Sequence, residues 1–169
     1  LGTQSGLDRF DGFRFSNYFN KAGDEQSLPN NVVDNVQEDV ETNLWLHTAA
    51  GYCRFIRSES RFDSHLNQWM ASKGMQGTPY YVKIDGRKNM WIAVHGHRVY
   101  YYNVRNKTAI LFSLQGKGGR KLPKGTVSDM ADDKDCAFMV YADGTIVKAD
   151  GRQGRMLWVD NELKQRSNG

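Results

Sequence analysis

A repeat of about 46 residues constrains this chain more than any other feature, because a fixed period of that size selects repeat architectures before any single residue is weighed. Shifting the 169-residue sequence by 45 places lays Leu1-Gly2-Thr3-Gln4-Ser5-Gly6-Leu7-Asp8-Arg9-Phe10 on Leu46-His47-Thr48-Ala49-Ala50-Gly51-Tyr52-Cys53-Arg54-Phe55. Leu, Thr, Gly, Arg and Phe coincide. A second anchor is aromatic: Trp45, Trp91 and Phe138 follow one another at 46 and 47 residues, each six residues after an aspartate, Asp39, Asp85 and Asp132. The third copy is the loosest. Val36 and Val82 stand three places before the first two aspartates, but position 129 is Asp and Met130 comes one place late. A hairpin one residue shorter in that copy accounts for the shift.

Within each copy the residues alternate in short β-rich runs. Val32 to Gln37, Leu44 to Thr48 and Tyr52 to Ile56 are separated by polar or Gly-containing turns too short for helices. The next copy gives four runs: Tyr80 to Ile84, Met90 to Val94, Arg98 to Asn103 and Thr108 to Leu114, with Asp85-Gly86 and Asn106-Lys107 as turn material. Four antiparallel strands in this length make one blade of a β-propeller. The recurring Trp on the second strand would fill the space between blades, since one blade cannot bury both faces alone. The fold expected is therefore all-β, a propeller fragment of about three and a half four-stranded antiparallel blades. Residues 1–27 end a truncated blade, 28–78 and 79–121 are blades, and 122–169 is an incomplete or divergent one. A β-sandwich also has short strands at such spacing, but it does not require a superposable Trp and Gly in every copy. Rings close with roughly four to eight blades, so an incomplete ring is expected, with the remaining blades coming from the same parent chain.

Leu1-Gly2-Thr3, Gly6-Leu7-Asp8-Arg9-Phe10-Asp11-Gly12-Phe13, Leu28-Pro29-Asn30-Asn31-Val32 and Glu38-Asp39 through Asn43-Leu44-Trp45-Leu46 together resemble the regulator-propeller repeat of bacterial hybrid two-component sensors. The resemblance is strongest over residues 1–56 and fades after 126. His47 stands where that repeat has Gly. The resemblance implies a periplasmic, ligand-sensing portion of a large histidine-kinase sensor, with an oligosaccharide as a candidate ligand and a homodimer of the parent as a candidate assembly. The other reading is the propeller of a secreted carbohydrate-active enzyme, or a binding scaffold outside signalling.

The residues themselves supply no catalytic or cofactor motif. His95-Gly96-His97 has no third ligand at a useful spacing for a metal. Glu38-Asp39 and Asp132-Asp133 fall where a turn between the first and second strands is expected, and Asp serves such turns by accepting backbone N–H groups. Gly116-Lys117-Gly118-Gly119-Arg120-Lys121 lacks the phosphate-loop spacing. The formal charge is only +4, with 23 basic and 19 acidic residues mostly interspersed, and no recognition helix suggests nucleic acid. Cys53 and Cys136 lie in different copies and read as free thiols. Leu1 is preceded by neither Met nor a signal-peptide pattern, so a trimmed amino end is expected.

Topology points to one end for binding, where the loops joining the second to the third strand meet those leaving the fourth. Asn30, Asn31, His95, His97, Arg120 and Lys121 are placed there, flanked by Trp69 and Tyr80 as stacking surfaces for a sugar. Lys117, Arg120, Lys121 and Lys124 form a basic loop at the same end, suited to an acidic or sulfated glycan. Trp45, Trp91, Phe138, Asp39, Asp85, Gly6 and Gly51 are the structural anchors of the repeat.

Overall fold

A computed structural model of the chain describes residues 1–117 and 119–162. Gly118 of the basic loop and residues 163–169 of the last expected blade lie outside the described residues. Among the described residues fifteen strands form four antiparallel sheets, each with its strands in chain order, and one short helix is interposed. Sheet 1 has three strands: β1 (Gly2–Thr3), β2 (Gly6–Phe10) and β3 (Phe15–Tyr18). Sheet 2 contains β4 (Val33–Glu38), β5 (Leu44–Thr48), β6 (Gly51–Ile56) and β7 (Arg61–Asp63). Sheet 3 contains β8 (Pro79–Ile84), β9 (Met90–Val94), β10 (Arg98–Asn103) and β11 (Thr108–Ser113). Sheet 4 contains β12 (Val127–Asp133), β13 (Cys136–Tyr141), β14 (Ile146–Asp150) and β15 (Arg155–Asp160). These are propeller blades. The chain divides into two compact units, Leu1–Trp69 and Met70–Gly169.

The repeat persists down to single hydrogen bonds. Thr3 Oγ1 donates to Gly6 O at 2.9 Å and accepts from Ser5 N, and Thr48 Oγ1 does the same to Gly51 O at 2.8 Å and from Ala50 N. Gly6 has a φ of 134°, and a Cβ there would strike the Tyr18 carbonyl, which is why glycine holds that place. In sheets 2, 3 and 4 the first strand is bulged just after its first pair, leaving Asp34, Tyr80 and Ser128 as the extra residues.

Trp45 and Trp91 are fully buried, each the second residue of the second strand. Phe138 takes the corresponding place: it lies three residues before the residue that closes the next hairpin, as both tryptophans do. It is half-buried. Val36, Val82 and Met130 face Leu46, Ile92 and Met139 across their ladders, so the first hairpin of sheet 4 is one residue shorter than its counterparts. Asp132 is the correction this brings. It does not repeat Asp39 and Asp85 as a turn residue, because the shorter hairpin leaves only Lys134 and Asp135 in the turn; Asp132 stays in β12, opposite Ala137 and 3.3 Å from Lys83 Nζ.

Packing within each unit follows from these faces. In the second, Trp91, Ala93, Val99, Tyr101 and Phe112 of sheet 3 bury against Ala137, Met139, Tyr141, Val147 and Ala149 of sheet 4. In the first, Leu7 and Tyr18 join Leu28, Val33, Leu46, Cys53, Phe55 and Phe62. Cys53 is a buried free thiol whose pKa burial pushes up to about 12, and Cys136 is also free and partly exposed. Helix α1 (Leu66–Ser72) was not expected in the 64–78 connection. Leu66 and Met70, one helical turn apart, are its buried residues, and Met75 N closes it by donating to Met70 O at 2.9 Å.

Candidate functional site

Three side chains that the sequence suggested for ligand binding are engaged in holding the first unit together. Asn30 Oδ1 accepts from Val32 N at 2.8 Å, and Asn31 Oδ1 accepts from Asn20 N at 2.7 Å, so both fix the entry to β4. Trp69 stands edge-on to Trp45 at 4.8 Å between centroids, and the Arg54 guanidinium lies 5.6 Å from the Trp45 ring and 5.4 Å from the Trp69 ring. A cavity of about 280 Å³ beside sheet 1 is lined by Leu7, Phe10, Tyr18, Val36, Leu44 and Phe55, among others. It lies beside the sheet that has three strands, and it is small for a ligand pocket.

In the second unit the structure does gather candidates, around the bulges of β8 and β12. Tyr80 and Tyr81 leave β8 at its bulge and reach the backbone of β12 on either side of the bulge there. The Tyr80 hydroxyl accepts from Val127 N at 3.1 Å. That of Tyr81 donates to Asp129 Oδ1 at 2.6 Å and accepts from Met130 N at 3.2 Å. These N–H groups flank a bulge, where ladder pairing is interrupted, so the two tyrosines satisfy them from the neighbouring sheet. The Tyr80 ring lies 5.2 Å from that of His95, and burial raises the Tyr80 pKa. His97 sits at a φ of 56° in the β9–β10 turn, with Nδ1 2.6 Å from Gly125 O. Asp129 is exposed, and the Tyr81 hydroxyl first and the Met130 N–H second hold its carboxyl below the usual range.

The resulting rim joins Tyr81 to Asp129 and Tyr80 to His95, with Ser128, Asp129 and His95 exposed and the Ser128 hydroxyl donating to Val140 O at 3.0 Å. Sequence reasoning chose Tyr80 and the histidines but missed Tyr81 and Asp129. The misplaced Asp129 was the available signal, because a charged residue where the repeat calls for an apolar one marks either an insertion or a site.

Lys121 lies at the same end as the 95–97 hairpin, bridged to Ser113, which pairs with Arg98, whereas the Arg120 side chain reaches away from it. After β11 the chain turns back, with Ser113 N donating to Arg120 O at 3.1 Å and Met156 N to Gly119 O at 2.6 Å. Arg120 Nε donates to Gly154 O at 3.1 Å, in the β14–β15 turn. That turn is at the end opposite the 95–97 hairpin, so the basic loop does not lie wholly on the rim as its sequence position suggested. Of the two carboxylate pairs, Asp39 is spent on its turn: its Oδ1 accepts from Glu41 N and Asn43 N and its Oδ2 from Trp45 Nε1 at 3.1 Å.

No protein-family model and no curated protein matches the chain. Among solved structures, its fold is similar to that of the extracellular domain of a protein described as the hybrid two component system BT3049 from B. thetaiotaomicron. The TM-score is 0.60 and the identity 16%, over 92% of this chain and 22% of that one. A second likeness is to the extracellular domain of the hybrid two component system BT4673 from the same organism, at a TM-score of 0.57 and 15% identity, over 83% of this chain and 17% of that one. The chain thus spans about a fifth of the length of these structures. At this identity the likeness defines the fold, and both neighbours are extracellular domains.

Proposed function

We propose that the chain is a ligand-sensing propeller portion of an extracytoplasmic, periplasmic sensor of the hybrid two-component type, and that its ligand is an oligosaccharide held at the Tyr81–Asp129 rim. The likeness in fold to two extracellular domains of such systems carries the reading. It is supported by the sequence run from Gly6 to Phe13 and by the rim itself. Asp129 is exposed and accepts hydroxyl donors through the oxygen that Tyr81 and Met130 leave unused, while the half-buried Tyr81 holds that carboxylate in place. Remaining blades come from the parent chain.

Calorimetric titration of the intact sensor region with defined neutral oligosaccharides tests the rim. The expected outcome is binding that Asp129→Asn and Tyr81→Ala each weaken by about tenfold or more, the loss of one charge-assisted hydrogen bond or of the group that positions its carboxylate. Binding unaffected by both changes would remove the site. The signalling reading has its own test, since the encoding gene should continue into a membrane span and a kinase domain; a stop codon shortly after residue 169 would end it.

A further inference from the structure

Charge is divided unequally along the chain. Residues 1–69 carry 6 Lys and Arg against 10 Asp and Glu, a net of −4, while residues 70–169 carry 17 against 9, a net of +8. The modest total conceals this. In the second unit much of the excess sits at one end. Antiparallel order puts the turns β8–β9 (85–89), β10–β11 (104–107), β12–β13 (134–135) and β14–β15 (151–154) at the end opposite the rim. Every one of them bears a cation: Arg87 and Lys88, Arg105 and Lys107, Lys134, and Arg152. Arg120 is added by the backward fold of the basic loop.

The geometry couples these turns. Both oxygens of Asp135 take Arg87 Nη1 at 2.7 Å, and Arg152 Nη1 approaches the same carboxylate at 3.6 Å. One half-buried carboxylate therefore serves two guanidinium groups whose side chains are 51% and 66% exposed. Arg120 donates Nε to Gly154 O in the turn that carries Arg152, and its side chain is exposed there. The other nearby carboxylates do not redress the balance. Asp85 is buried in its turn, Asp150 accepts from Gln153 N, and Asp133 lies 4.0 Å from Lys148.

We infer that this end of the second unit binds a polyanionic glycan through its sulfate or carboxylate groups, with Arg152 and Arg120 making the contacts and Asp135 holding Arg87 beside them. Guanidinium forks match oxyanions in two-point geometry, and a guanidinium sharing its carboxylate gains most from a second anion. An anionic membrane is the weaker partner, since none of the large exposed apolar side chains lies on these turns to enter a bilayer. Single-stranded nucleic acid lacks aromatic side chains to stack on there. The inference is independent of the rim reading, because it concerns the opposite end and a different chemistry.

The test uses the intact chain with dextran sulfate as the probe and unsulfated dextran as its neutral match. Binding is expected for dextran sulfate only, weakening as salt rises from about 20 to 200 mM because exposed charges are screened. Arg120→Ala with Arg152→Ala should weaken it about tenfold or more. Lys117→Ala with Lys121→Ala, the same loss of charge where the loop folds back on Ser113, should weaken it less than threefold. Equal effects from the two pairs would overturn the site, as would unchanged affinity in the arginine pair. Binding to phosphatidylglycerol vesicles without binding to dextran sulfate would overturn the glycan in favour of a membrane, and equal affinity for a charge-matched oligodeoxynucleotide would overturn it as unselective.

Discussion

Sheet 4 packs on a four-stranded sheet 3 in the second unit, and sheet 2 packs on a three-stranded sheet 1 in the first; the same position of the repeat fares differently in the two. Met130, on the first strand of sheet 4, is 3% exposed, whereas Val36, its counterpart in sheet 2, is 37% exposed beside the 280 Å³ cavity. The residues are both apolar and both face their own second strand. What differs is the sheet behind them. The first strand of sheet 3 therefore does more than complete its own hydrogen-bonding ladder: β8 reaches along β12 to Met130 through Tyr81, whereas the two-residue β1 meets β4 at Val33, as expected where each repeat buries its neighbour.

The largest effect should come from the aromatic anchor of the completed pair. Trp91 is fully buried, with its ring 4.8 Å from Tyr101 and 5.7 Å from Phe112. Trp91→Ala should cost about 3–5 kcal/mol by urea unfolding, the range for emptying an aromatic site in a packed core. A cost below about 1 kcal/mol would mean that sheets 3 and 4 are not held by this residue. Next comes the comparison itself. Met130→Ala should cost about 2–5 kcal/mol, and Val36→Ala less than about 1 kcal/mol, because little is lost when an already hydrated side chain is shortened. Similar costs for the two would break the argument from the missing strand.

A finer contrast lies in the two turns that the repeat does preserve. Asp39 Oδ2 accepts from the Trp45 indole at 3.1 Å; Asp85 Oδ2 accepts from Asn89 Nδ2 at 3.2 Å instead, and Trp91 Nε1 is buried with no partner among the described residues. Across the ladder from each aromatic the chemistry also changes. Arg54 faces Trp45, Tyr101 faces Trp91, and Lys148 faces Phe138 with Nζ 4.7 Å from the ring. Asp39→Asn turns an amide donor toward an N–H that needs an acceptor and should cost about 1–3 kcal/mol. Asp85→Asn should cost less, since burial of Asp85 raises its pKa and the neutral amide avoids that desolvation. The reverse order would show that the indole hydrogen bond is not what distinguishes the two turns.

The blades were legible from the sequence because three signals agreed: apolar alternation, Trp every 46 residues, and Gly or Asp at the turns. Even the shortened hairpin before Phe138 was readable, from the late arrival of Met130. Other features left no such trace. Helix α1 is seven residues long, and its only sign, Leu66 and Met70 one turn apart, is no stronger than chance in so short a stretch. The bulges insert Asp34, Tyr80 and Ser128 without changing the composition of the strands, so the Tyr81–Asp129 contact, 48 residues apart, depends on the packing of sheets rather than on any local pattern. Arg120 was legible only in part: its backbone lies beside Ser113, at the end the topology gives it, but a loop's position does not reveal that the side chain reaches the 151–154 turn.

The smallest expected effect concerns pH, and two carboxylates of the second unit should move stability in opposite directions. Asp85 has its pKa raised, chiefly by burial, so the folded state holds its proton more tightly than the unfolded chain does. Its contribution is therefore most favourable below the ordinary value of 3.8 and declines as pH rises through the raised value. Asp129 has its pKa lowered by the Tyr81 hydroxyl and the Met130 N–H, so its contribution is present above 3.8 and is lost as pH falls through the lowered value. Because Asp129 is exposed, solvent screens its share, and the change should stay under about 1 kcal/mol. Urea unfolding at closely spaced values from about pH 2.5 to 6 separates the two. Asp129→Asn should flatten the loss on the acid side, and Tyr81→Phe, which removes the largest cause of the shift while keeping the ring, should flatten it as well. Asp85→Asn should leave that acid limb intact and lessen the decline above 3.8. An acid limb unchanged in both Asp129→Asn and Tyr81→Phe would mean that the contact between β8 and β12 does not persist in solution, and the proposed sugar site at the rim would lose its support with it.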